Sequence, residues 1–492
     1  GISLIGLVEI ENKFVLEELV KDSLIQKYHY KIIHFDSKDY RGIDVALLYH
    51  PIHFVPYQYK PISLSLKNHQ TDFPTRDILY VKGQLDQQWV HILVNHWPSR
   101  RGGASTSGKR RLWASEVAKV FIDSLKISIN VAAMIGHNDI RRAIMGRTMR
   151  DPNEDEMKQM EGLVEQAMKD GAVGLSTGLL YIPGTYSKTE EVVRLAKMAA
   201  KYNGVYASHI RSEGDSVVQA IEEALHIGRE AKIPVQVSHF KLSGQQNWGR
   251  SKETLPMIVK AREEGLEVTI DQYPYTASST SLSVILPDWA LADGQDSIKA
   301  RLANATVRNK IKNQMLKSLS KRKLKHWSYA VVAYYAPDTS YNGKSIEEIN
   351  QLIGRKHKAK DEAETIMDMM TKGGASAVFH GMSEADVKFI MKYPFNMIAS
   401  DATIRVLNSG NPHPRGYGTN ARVLGKYVRE EKVISLEEAI RRMTSLPAQK
   451  FQLNDRGLIR EGFAADIVVF DEKTVADLST FEKPHQYSQG FK

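Results

Sequence analysis

Residues 205–241 alternate two textures. The runs VYASH and VQVSH are short and largely apolar, and each ends on a histidine, His209 and His239. Between them Val217, Ile221, Leu225 and Ile227 recur at helical spacing. The pattern predicts a strand ending on His, a helix, then a second strand ending on His. The same alternation extends outward. NVAAMIGH precedes a helix expected over 153–170, AVGLSTGLLY a helix over 188–202, and VQVSHFK a helix over 252–264, with EVTIDQYPY following. From Val173 the strand starts recur about every thirty residues, the βα period of a (β/α)8 barrel. A doubly wound sheet is the alternative. The barrel is preferred because polar residues end nearly every strand.

Residues 286–374 break the rhythm and read as an insertion beside the barrel, with helices over 345–353 and 360–370. Regular pattern returns with a helix over 383–392, the strand FNMIASD ending on Asp401, and a helix over 436–444. FAADIVVFD, residues 463–471, reads as a strand outside the barrel.

The first 126 residues follow another pattern. ISLIGLVEI, YKIIHF, IDVALLYH, DILYVKG and WVHILVNHW read as strands, with a short helix over 12–20. A longer helix over 107–125 carries Trp113, Val117, Val120, Phe121 and Leu125 on one stripe. The division expected is 1–126, a barrel over 127–445 carrying the 286–374 insertion, and 446–492.

Composition narrows the chemistry. The 492 residues carry a net charge of +10 that is spread out; the densest basic runs, 109–111 and 321–325, read as solvated faces rather than a nucleic-acid groove. There is no cysteine, which removes disulfides, thiol nucleophiles and thiolate metal ligands. No apolar run approaches the length of a membrane span. The chain opens on Gly1 inside a strand-like run, so an earlier start to that domain is expected and the compartment stays open, as does the oligomeric state.

Two histidines at matched strand ends of a parallel array emerge on one rim, which suits a divalent metal such as zinc. In the first segment Glu9 and Glu11, residues 41–44 (RGID), and the run Asn95, His96, Trp97, Pro98, Ser99, Arg100 set carboxylate, imidazole and guanidinium groups at strand ends. That combination suits Mg2+-assisted phosphodiester cleavage.

The motifs GLVEIENK, DSKDYRGIDVALLY, TRDIL and VNHWPSRRGG resemble the endonuclease/exonuclease/phosphatase family of Mg2+-dependent enzymes. The resemblance implies an α/β-sandwich fragment with Glu9 as metal-binding residue and His96 as catalytic histidine. The family's Gly-Asp-x-Asn motif and terminal Asp-His pair do not occur after Arg111, so this segment is expected to be an inactive remnant.

From about residue 129 onward, GLSTGLLYIPG, YASHIRSEG, QVSHFKLSG, VTIDQYPYTASST, SDATI, HPRGYGT and LNDRGLIREGFAADIVVFD resemble the N-acyl-D-amino-acid deacylases, or D-aminoacylases, of the amidohydrolase superfamily. The resemblance implies a zinc-dependent (β/α)8 barrel with an accessory β-sandwich. His209 and His239 take the places of the zinc histidines on strands five and six. Asp401 takes that of the eighth-strand aspartate, which binds metal and serves as general acid and base. Lys241, Tyr181, Tyr273, Ser279 and Thr280 fall where the family contacts substrate, and Arg415 is a further carboxylate partner. The implied reaction is hydrolysis of the amide of a small N-acyl-D-amino acid, with no nucleic acid or membrane partner for this part.

The first-strand His-x-His of amidohydrolases is absent from all sixteen histidines, and the family's cysteine ligand is absent too. NVAAMIGH matches the family's third strand. Barrel strands one and two, and the opening strands of the sandwich, are therefore expected to be missing, leaving six of eight units. The last strand of the sandwich is expected to be cut short as well. Three readings follow: a D-aminoacylase-like hydrolase impaired by its missing ligands, a Mg2+-dependent phosphodiesterase of the N-terminal part, or an inactive fusion of two fragments.

Overall fold

The computed structural model describes residues 3–37, 42–63, 77–85, 88–94, 130–404 and 407–491. The chain divides into two compact units, Gly1–Val131 and Ala132–Lys492.

In the N-terminal unit β1 (Leu4–Ile10), β2 (Lys31–His34) and β3 (Asp44–Tyr49) form an antiparallel sheet in the order β1-β3-β2. A second antiparallel sheet holds β4 (Phe54–Ile62), β5 (Ile78–Leu85) and β6 (Gln88–Val94) in chain order. The period of two along β3 decides the layering. Val45 and Leu47 pack with Phe54, Leu79, Val81 and Val94 between the sheets. Ala46 and Leu48 face the other way, onto Leu16 and Tyr30. Leu16 lies on the helix Lys13–Lys21, whose first turn is capped by the Asn12 side chain accepting from the Val15 amide. Strand β4 was not anticipated: Pro56 and Pro61 argue against a central strand, and β4 is indeed an edge. The helix expected over 107–125 lies outside the described residues.

The C-terminal unit is built on a parallel sheet. Its strands are β7 (Ile135–Gly136), β8 (Gly174–Gly178), β9 (Val205–His209), β10 (Val235–Val237), β11 (Val268–Gln272) and, after the insertion, β15 (Asn396–Ile398). The order is β15-β11-β10-β9-β8-β7, with every pairing parallel. Neighbours in the chain are neighbours in the sheet and the direction of winding never reverses. A barrel winds this way; a doubly wound sheet does not. Helices Glu154–Lys169, Thr189–Ala200, Val217–Ala231 and Ser251–Glu263 follow their strands, as the periodicity predicts.

Alternation within the strands separates two environments. Val235, Val237, Val268 and Ile270 belong to the core shared with the helices. Between them Gln236, Thr269 and Asp271 point the other way and bond to one another: Gln236 Nε2 donates to Asp271 Oδ2 at 2.6 Å, and the Thr269 hydroxyl donates to Gln236 Oε1. A polar chain therefore runs under the rim where the histidines sit.

NVAAMIGH forms less strand than its pattern predicts. Only Ile135 and Gly136 pair, and an unanticipated helix, His137–Met145, begins at once. Among the described residues strand β7 ends the sheet, so its apolar run has a ladder on one side only.

Strands β12 (Ala277–Ser281), β13 (Ala330–Tyr334) and β14 (Ser376–His380) make a separate antiparallel sheet in the order β12-β14-β13. With helices Gln295–Ala303, Ala305–Lys321, Ile346–Leu352 and Ala359–Thr371 it encloses its own core around Trp327, Met315 and Ile366. Strands β12 and β14 flank the 286–374 span, so the accessory body extends beyond it on both sides.

The strand expected over 463–471 does not form. Ile467, Val468 and Val469 are 63, 70 and 54% exposed, and only the isolated bridges Phe470↔Phe491 and Ala476↔Gln489 occur here. A β-branched run becomes a strand when a partner takes its backbone hydrogen bonds, and beyond the bridge at Phe470 no described strand pairs with this run. Among the described residues no helix is long and apolar enough to cross a membrane.

Candidate active site

His209 is the last residue of β9. His239 lies two residues beyond β10, in a left-handed backbone conformation with φ +41. Its amide donates to Asp271 Oδ1 at 2.7 Å, so the polar chain beneath the rim fixes this turn. The two imidazole centroids are 4.3 Å apart, as the matched strand ends imply.

Glu213, which the sequence reading did not single out, stands between them. Its Oε1 is 3.7 Å from His209 Nε2, 2.9 Å from His239 Nδ1 and 2.5 Å from Lys241 Nζ. Lys241 Nζ also lies 2.7 Å from His239 Nδ1. His239 Nδ1 thus faces an ammonium and a carboxylate at once, and a neutral imidazole nitrogen can accept from the first or donate to the second but not both. The geometry is that of donor atoms converging on a positive charge.

The electrostatics agree. Burial, above all, drives the His209 imidazole down to about 3, so at neutral pH it carries no proton to spare. Its Nε2 is buried and has no hydrogen-bond partner among the described residues. Burial alone would push the Glu213 carboxyl up; the Lys241 ammonium and the two histidines outweigh it and hold it well below the usual carboxylate range. His209, Glu213 and His239 offer ligand atoms within 4.8 Å of one another. Two imidazoles, one of them with an orphaned nitrogen, and a carboxylate make a donor set that fits a divalent metal.

Asp401 follows β15 by three residues, also in a left-handed conformation. It lines the same cavity as His209, Glu213 and Lys241, about 140 Å³ in volume, but it is not in the ligand cluster. Its Oδ2 pairs with the Arg415 guanidinium at 2.8 Å. Arg415 is buried, lies 4.5 Å over the Tyr273 ring and donates to the Ser279 carbonyl. Tyr181 packs 4.8 Å from the His209 ring, and its hydroxyl accepts from Thr280 at 3.0 Å. Burial raises both tyrosines, Tyr273 the more strongly, so both stay protonated donors at neutral pH. Ser279 and Thr280 come from β12, so the accessory sheet supplies one wall. Arg322, which no motif flagged, lines that wall with its guanidinium 5.5 Å from the Tyr329 ring. On the side of β7 the histidines border an open cleft lined by His137, Asn138 and Asp139.

In the N-terminal unit Glu9 sits at a register shift in β1 with φ +60. The ligand-like group there is His34, Asp36 and Asp44 instead, and Glu9 is not part of it. His96 lies outside the described residues.

Comparison with known proteins bears on both units. Residues 1–174 match the Endonuclease/Exonuclease/phosphatase family and residues 330–491 the Amidohydrolase family. The chain is 34% identical over 373 residues to D-aminoacylase of Alcaligenes xylosoxydans xylosoxydans, covering 75% of this chain and 67% of that protein. It is 35% identical over 369 residues to N-acyl-D-glutamate deacylase of the same organism, covering 75% and 66%. In structure it resembles the N-acyl-D-glutamate deacylase of Bordetella bronchiseptica, solved with zinc and a phosphonate mimic of the tetrahedral intermediate. There the TM-score is 0.63 at 34% identity, over 77% of this chain and 69% of that one. This chain spans about two thirds of the length of the curated relatives it matches.

Proposed function

From the D-aminoacylase family of amidohydrolases, to which this chain belongs, we propose that the C-terminal unit hydrolyses the amide bond of N-acyl-D-amino acids with a zinc ion held by His209, Glu213 and His239. The observation that carries the reading is the orphaned Nε2 of a neutral, buried His209 beside Glu213 and His239.

A zinc ion bound there supplies a water nucleophile that is competent near neutral pH. The chain's own groups do the rest. Asp401, 40% exposed at the cavity, takes a proton from the attacking water and delivers it to the leaving amine nitrogen. Arg415 orients that carboxylate from beneath. Tyr181 and Lys241 donate to the carbonyl oxygen as negative charge develops on it. Arg322 is placed to receive the substrate carboxylate. The products are a carboxylate and a free D-amino acid.

Three protein ligands suffice for one zinc in other enzymes. The family's first-strand histidines and cysteine are missing, so the activity is an impaired form of the family's. The test is zinc analysis of the purified chain together with hydrolysis of N-acetyl-D-methionine and its L-enantiomer. Zinc retention with slow, D-selective turnover is expected, and Glu213→Gln should weaken zinc binding by about a hundredfold, ~2.7 kcal/mol. A chain that binds no zinc, or hydrolyses neither enantiomer, sinks the reading.

A further inference from the structure

A second convergence of ligand atoms lies in the accessory body, and none of its residues lines the cavity around His209. His326 stands between the helix Ala305–Lys321 and β13. Glu347 is in the first turn of the helix Ile346–Leu352, and Glu362 in the first turn of Ala359–Thr371. His357 lies in the connection between those two helices. One ligand atom from each falls within 4.8 Å of all the others. We propose that these four residues form a structural zinc site that staples the helical hairpin of the accessory body to the segment entering β13.

The details favour a metal over a set of ion pairs. His326 Nδ1 is 2.5 Å from Glu362 Oε1 and 3.8 Å from Glu347 Oε1, while His357 Nε2 bonds to Glu347. The two imidazoles stack face to face, centroids 4.2 Å apart and 23° from parallel. Paired as ions, each carboxylate would need an imidazolium, and two stacked cations repel. A divalent ion needs both rings neutral, and its charge balances the two carboxylates. Tetrahedral zinc holds N and O ligands roughly 3.4 Å apart, so on binding the two hydrogen-bonded His–Glu contacts open by about an ångström and the wider separations close.

The surroundings are those of a ligand set. Glu362 is fully buried, and its second oxygen accepts the Trp327 amide at 2.8 Å, which fixes the carboxylate as outer-shell bonds do around metals. Glu348, adjacent to Glu347, is engaged in the Ser345 capping box, so its neighbour is turned to the histidines. Four protein ligands leave no open position, which marks a structural rather than a catalytic site. Two imidazoles with two carboxylates select zinc or cobalt over magnesium or calcium. His357, 52% exposed, is the side of entry.

The test uses the full chain carrying His209→Asn and His239→Asn, which removes the other candidate site of the C-terminal unit; the His34, Asp36 and Asp44 group of the N-terminal unit is untouched, so the readout is the zinc lost on altering His357 or Glu347. After chelation, reloading with zinc and dialysis, this protein should retain about one zinc per chain and gain thermal stability from it. Adding His357→Gln or Glu347→Gln, both at exposed or half-buried positions, should abolish the bound zinc and the gain. A double variant that binds none, or binding unchanged by both further substitutions, overturns the proposal. If the double variant does not fold, cobalt titration of the unaltered chain against His357→Gln decides. Loss of one equivalent of four-coordinate visible absorption supports the site, and equal absorption overturns it.

Discussion

Lys241 puts an ammonium where the site needs a positive charge, between Glu213 and His239. With zinc bound it must yield that place, so lysine and metal compete. Lys241→Met leaves Glu213 buried without its ammonium partner. In the metal-free chain we expect a loss of about 3 kcal/mol in denaturant unfolding, and zinc should restore most of it. Turnover should fall even when zinc is saturating, because the donor proposed for the carbonyl oxygen is gone. A loss of stability that zinc does not repair would show that the lysine merely packs. Lys450 supplies a second test. Burial, chiefly, brings its ammonium from 10.5 down to about 8, against the attraction of Glu267. Between those values the unfolded chain holds more protons than the folded one, so stability rises with pH through the window; below about 8 the buried charge carries its full cost. Urea unfolding at about pH 8 and about pH 10 should differ by up to about 3 kcal/mol, and Lys450→Met should flatten the difference.

At the scale of elements, close approach sets the strand pairing. A Cβ on Gly174 would lie 2.0 Å from the Val205 carbonyl oxygen, whereas one on Gly162, inside the helix Glu154–Lys169, meets nothing within 4 Å. Gly174→Ala should therefore cost more than about 3 kcal/mol or leave the chain insoluble, and Gly162→Ala should stabilise by about 0.5–1 kcal/mol, both read from thermal unfolding. The βα order, the helices and the paired histidines were legible because apolar periodicity reports which face of an element is buried. Glu213 was not: it sits in the loop after β9, where no periodicity operates, and only its spacing of four from His209 offered a signal. Asp271 was hidden for a different reason. Inside a strand a single carboxylate looks like a break in the apolar run, and its role in holding the His239 turn shows only once β10 and β11 are side by side. The run 463–471 failed in the opposite sense, since β propensity cannot supply a partner strand.

For the whole C-terminal unit, winding order also sets the order in time. Strands β7 to β11 each pair with a chain neighbour about thirty to forty residues away, whereas pairing Ile270 with Asn396 must close over the entire accessory body. Loop closure of that length costs entropy before any contact offsets it. His209 and His239, on adjacent units, are thus assembled early, and Asp401 arrives with the last strand. Pulse-labelled hydrogen exchange should find the amides of 205–209 and 235–237 protected before those of 396–398. The proposed metal ligands would then exist, for a time, without the residue proposed to move the proton: a nascent chain able to capture an ion before it is able to act on a substrate.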